Sequence, residues 1–134
     1  MAGDLLPSRR MGEQAELLKQ RTMRFALDVC GLLKQLPSTE PGQTVRHQLA
    51  KSATSVAFNY RASCRARSHA EFTSKIGLVA EEADESQGWL EFVDAAKLIA
   101  SPEDVKRLLA ESAELVAIFS AAVGTARYKQ RHDR

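Results

Sequence analysis

The chain holds little that would interrupt a helix. Its 134 residues include four prolines and seven glycines, and long stretches carry neither, so extended helices are expected. No segment alternates apolar and polar residues with a period of two, which leaves no candidate strand. Cysteine is scarce. Cys30 and Cys64 lie far apart in helical patterns, outside any CxxC and away from histidine at metal spacing, as expected of two small, partly buried reduced thiols. No Glu-x-x-His or Asp-x-x-His occurs, so the pattern of a bundle-borne two-metal centre is missing and no metal or cofactor is expected. An uninterrupted run of about 18 apolar residues, which a membrane span would need, is also missing. Met1–Arg10 is polar and lacks an apolar signal core. A cytoplasmic location away from membranes is the expectation.

What is present has a helical period. Hydrophobic residues make up 44% of the chain and charged residues 27%, the balance of one globular domain that buries a core without disulfides or metal. A first helix is predicted from about Gly12 to Leu36, with Leu18, Thr22, Phe25, Val29, Leu32, Leu33 and Leu36 at three- and four-residue spacing. Pro37 and Pro41 end it. A second runs from about Thr44 to Arg67. Ser68-His69-Ala70-Glu71 has the form of a capping box and opens a third helix ending near Ala100. Ser101-Pro102-Glu103-Asp104 starts the fourth: a cap, a proline at the first helical position, then acids against the dipole. Short connections force antiparallel neighbours, so the fold class is all-α, an up-and-down four-helix bundle occupying residues 1–134. About 1–11 and 129–134 are expected to be flexible.

The formal charge of +2 conceals segregation. Residues 44–75 carry six basic side chains against Glu71, residues 81–114 ten acidic ones against three basic, and residues 115–134 four basic against Asp133. At 100° per residue from Arg46, the apolar Val45, Leu49, Ala53, Val56 and Tyr60 fall between about 260° and 340°. The basic Arg46, His47, Lys51, Arg61 and Arg65 fall between about 0° and 140°, with Phe58 among them near 120°. One face of the second helix packs; the other is suited to phosphate, with Phe58 placed to stack on an unpaired base or to make a subunit contact. Arg127, Lys129 and Arg131 near the C-terminus form a second cationic candidate.

The stretch from Gln48 through Ala53, Val56, Asn59, Tyr60 and Arg61, then Ser68-His69-Ala70-Glu71-Phe72, then Ala80-Glu81-Glu82-Ala83-Asp84-Glu85-Ser86 with Trp89-Leu90, resembles a known family. These residues are similar to the four-helix-bundle proteins encoded in intervening sequences of bacterial 23S ribosomal RNA genes, a group that includes the accessory proteins of diversity-generating retroelements. The chain departs from the family pattern at Phe58, Cys64 and Gly77. The resemblance implies a homopentameric ring. For the retroelement members it also implies basic surfaces that bind nucleic acid and a reverse transcriptase partner.

Two functions remain open at this point. The first is a non-catalytic, oligomeric nucleic-acid-binding accessory protein, RNA favoured, acting through Arg46, His47, Lys51, Phe58, Arg61, Arg65 and the C-terminal cations. The second is an oligomeric protein–protein adaptor whose basic and acidic bands meet between subunits, with Phe58, Glu81, Asp84, Glu85 and Trp89 at the interface. No enzyme is expected, because Ser52 and Ser55 show no recognisable relation to His47, His69 or His132. Asn59, beside the apolar stripe, is able to bond across to another helix. Glu82, at the edge of the third helix's apolar stripe, is suited to a buried pair with an arginine.

Overall fold

The computed structural model describes residues 2–132, with side chains from Gly12 onward. Met1 and residues 133–134, part of the ends expected to be flexible, lie outside it. Four helices follow in order: α1 (Ala2–Leu33), α2 (Gly42–Ser63), α3 (His69–Ala95) and α4 (Pro102–His132). No strand occurs among the described residues.

Cross-helix contacts give the directions. Arg21 meets Glu111 while Arg107 meets Asp28, so α1 and α4 run antiparallel. His69 at the start of α3 reaches the Ala126 carbonyl near the end of α4. Arg46 at the start of α2 reaches back to Leu36 just beyond α1. Consecutive helices pack on one another, and α4 closes the bundle against α1 with the least extensive contact.

The apolar stripes read from spacing form the core. Phe25, Val29, Leu49, Val56, Ile76, Val79, Leu90, Leu108, Leu115 and Phe119 are fully buried. Tyr60 and Phe119 meet with ring centroids 5.4 Å apart, within the range where aromatic pairs add to their area burial. Where α2 crosses α3 the buried side chains are small. Ser86 Oγ lies 2.9 Å from both Ser52 Oγ and the Glu82 carbonyl, and Ser52 Oγ donates to the Leu49 carbonyl, so both hydroxyls are satisfied without water. Asn59 does not bond across the bundle. Its Nδ2 donates to the Ser55 carbonyl one turn back in α2, the short local alternative open to an Asn in a helix.

Helix ends differ from the expected ones for identifiable reasons. α2 begins at Gly42, two residues early, because the Glu40 carboxylate accepts the Thr44 amide and hydroxyl at 2.8–3.0 Å. Gly42 itself is required: a Cβ there would run into the Pro37 carbonyl. α2 ends at Ser63 because the chain must turn before the Ser68 cap. That cap forms, with Ser68 Oγ accepting the Glu71 amide at 3.0 Å, but Glu71 reaches the Arg67 amide and not that of Ser68. α3 stops at Ala95, five residues early, in a Schellman closure. The Leu98 amide donates to Val93 and the Lys97 amide to Asp94, with Lys97 at φ 53°. α4 starts at Pro102 as read and continues helically through His132.

α4 is also long and apolar enough, by length and composition, to cross a membrane. In the bundle its apolar side faces the core through Val105, Leu108, Leu115, Phe119 and Val123. Its Glu111 is held by the Arg21 guanidinium at 2.7 and 2.8 Å.

Candidate nucleic-acid interface

The outward ridge of α2 carries His47, Lys51, Phe58 and Arg61, and Arg65, expected on the same helix, follows in the turn beyond its end; all five are exposed. The helical ones face outward because Leu49, Ala53, Val56 and Tyr60, about 80° or more away around the helix, are taken up by the core. Phe58 is 59% exposed, an uncommon state for a large ring on a rigid helix.

Arg46 is positioned differently from its neighbours on the wheel. Its Nη2 donates to the Leu36 carbonyl at 2.9 Å and to the Pro37 carbonyl at 3.3 Å. It therefore ties down the α1–α2 connection by pairing two of the connection's own carbonyls.

Phe58 and Arg61 of α2 line a groove together with Arg65 and Arg67 of the α2–α3 connection and with Glu71 and Lys75 of α3, about 430 Å³ in volume. Among the described residues, no carboxylate lies within 4.0 Å of Arg61, Arg65, Arg67 or Lys75. On its other side Arg61 also lines a groove of about 420 Å³ along α1, formed by Glu16, Lys19, Gln20, Met23, Arg24 and Leu27. Glu16 is engaged by Lys19 at 2.9 Å, and that bond holds its carboxyl below the usual range. The two grooves flank one arginine.

Reasoning from one helix at a time missed Arg24, Arg67 and Lys75 as companions of Arg61. They belong to α1, the α2–α3 connection and α3, and only helix packing brings them beside α2. The charge count over residues 44–75 included Arg67 and Lys75, and that was the available signal.

The C-terminal candidates are separate. Arg127 lines a groove between α3 and α4 with Gly77, Leu78, Glu81 and Gln130, and Lys129 and Arg131 are exposed in the last turns of α4. The hydrogen bond from His69 to Ala126 sets this end of α4 level with the start of α3.

The acidic candidates Glu81, Asp84 and Glu85 are exposed along α3. Leu78 and Phe92, 40% and 43% exposed, interrupt that face. Trp89 is half-buried and meets Phe92 edge-on with centroids 5.8 Å apart. Among the described residues Glu82 has no arginine partner. Its Oε2 is shut off from solvent and accepts no hydrogen bond. Burial, then the neighbouring Glu85, raises its pKa, and Lys51 across on α2 supplies the opposing pull.

The sequence profile of the 23S rRNA-intervening sequence protein family matches residues 16–121. The chain belongs to this family. A crystal structure at 1.70 Å from Bacteroides thetaiotaomicron, of a protein with unknown function from the S23 ribosomal protein family, is similar with a TM-score of 0.71. Sequence identity is 25%, covering 79% of this chain and 97% of that one. No curated protein matches the chain. The family match spans all four helices and includes Phe58, Arg61, Arg65 and Lys75.

Proposed function

We propose that this family member is a non-catalytic, oligomeric nucleic-acid-binding accessory protein, with RNA the favoured ligand and the exposed ridge of α2 the binding face. The observation that carries the reading is Phe58, 59% exposed in a groove with Arg61, Arg65, Arg67 and Lys75. Cations without carboxylate partners suit phosphates, and an exposed ring among them suits a base. The assembly proposed is a homopentameric ring in the cytoplasm. A reverse transcriptase partner belongs to the same proposal, through the resemblance to retroelement accessory proteins.

The test is binding of the purified oligomer to labelled single-stranded RNA and to an RNA hairpin across a salt series. Binding should fall steeply with salt, because each neutralised phosphate releases counterions. Arg61→Glu/Arg65→Glu should abolish it at unchanged oligomer mass. Phe58→Ala should weaken single-stranded binding more than hairpin binding; equal losses would remove base stacking from the reading.

A second reading rests on the α3 face, where exposed Leu78 and Phe92 lie among Glu81, Asp84 and Glu85. Such a surface suits a protein partner or the basic ridge of a neighbouring subunit. No RNA binding at low salt, together with a lowered mass for the Arg61/Arg65 variant, would favour this adaptor reading.

A further inference from the structure

We infer that the ligand of this face is a single strand that crosses α2 at Arg61, running from the α1 groove to the α2–α3 groove, and does not lie along α2. The inference rests on the nucleic-acid reading above and gives that site a path and a strandedness.

Three observations set the path. Arg61 is the one residue that lines both grooves, so an anion held there continues into either. Cations extend from it across the helices, with Arg24 on α1 to one side and Arg65, Arg67 and Lys75 to the other. Along α2 toward its N-terminus the cations are sparser. Arg46 is bound to the Leu36 and Pro37 carbonyls, which leaves Lys51 and His47 on that part of the ridge. A strand following α2 would meet Arg61, Lys51 and His47 beside a committed Arg46, whereas one crossing it meets five cations with no carboxylate within 4.0 Å among the described residues.

Strandedness follows from the apolar side chains beside that track. Leu27 in the α1 groove and Phe58 in the α2–α3 groove are each 59% exposed. A duplex presents mainly phosphates to a convex helical surface and would leave both in water. Unpaired bases can cover both, Phe58 by stacking and Leu27 by apolar contact. The two acids in the grooves are occupied: Glu16 binds Lys19, and Glu71 accepts the Arg67 amide at the cap of α3. With adjacent helix axes about 8–10 Å apart, the track from α1 to α3 is about 20 Å long, so a short oligonucleotide suffices.

The experiment measures fluorescence anisotropy of labelled oligouridylate and oligothymidylate, and of an RNA hairpin, against the full chain over a salt series. Arg24→Gln and Lys75→Gln probe the two ends of the track; Lys51→Gln probes the path along α2. Mass and circular dichroism are recorded for each. Single strands should bind in preference to the hairpin. Arg24→Gln and Lys75→Gln should each weaken binding about fivefold and make the log–log salt slope shallower by about 0.7, while Lys51→Gln leaves both unchanged. Losses with Lys51→Gln and none with Arg24→Gln would overturn the crossing path while leaving nucleic-acid binding in place. A changed oligomer mass for Arg24→Gln would mark the α1 groove as a subunit contact and also overturn it. Hairpin preferred to single strand would overturn the strandedness. If the wild-type chain binds none of the probes at low salt, the nucleic-acid reading itself fails.

Discussion

Residues equivalent on a helical wheel have different roles once the chain is folded. Arg46 and Arg61 both lie on the basic side of α2, yet Arg46 is bound to carbonyls of the α1–α2 connection while Arg61 stands free between two grooves. Arg46→Ala should therefore lower stability in denaturant unfolding by about 1–3 kcal/mol, the scale of losing a charge-assisted hydrogen bond to partly buried carbonyls. RNA affinity should stay unchanged. Glu82 is the residue whose charge opposes the fold. Burial raises its folded-state pKa above the ordinary 4.5, so the folded chain holds this proton more tightly than the unfolded one. The associated stability is complete below the unfolded value and is lost as pH rises through the folded value. Glu82→Gln should accordingly raise the melting temperature at pH 8 and give no such gain at pH 4. An equal effect at both pH values would mean that Lys51 neutralises the carboxylate.

Among the elements, the starts of α3 and α4 were legible, whereas α1 begins at Ala2 and not near Gly12. Ser68 and Ser101-Pro102 announce their helices through side-chain chemistry that acts within one turn, and both starts lie where that chemistry puts them. The end of α3 carries no such signal. Leu98 and Ile99 continue the apolar pattern, but they are drawn inward from a closing turn, with Lys97 in the left-handed region that ordinarily takes glycine. A side chain at this φ costs about 1–2 kcal/mol, part of which glycine returns through the extra freedom of its unfolded chain. Lys97→Gly should thus raise the unfolding free energy by a few tenths to about 1 kcal/mol, measured by urea denaturation. A loss would show that the Lys97 side chain contributes more than its backbone strain costs.

For the whole molecule, segregated charge is the property that bears on assembly. A basic α2 ridge and an acidic α3 face lie on one chain, and a head-to-tail ring needs two such different surfaces. Native mass spectrometry of the full chain should give five copies. If the ring uses the basic ridge, Arg61→Glu/Arg65→Glu will lower that mass; if the ridge faces RNA, the mass will hold and binding will be lost.

The helices, their approximate order and the core stripe were legible because each depends on spacing within one segment: Leu49, Ala53, Val56 and Tyr60 share a face whatever packs against them. Phe58 and Arg61 were legible together for the same reason, whereas Arg65 lies in the turn beyond the helix on which spacing had put it. The grouping of Arg24, Arg67 and Lys75 around Arg61, the withdrawal of Arg46 into a turn and the burial of Glu82 without a partner were decided by tertiary structure alone. Side chains from different helices become neighbours through the packing of whole elements, and periodicity along one segment carries no information about what lies across a groove.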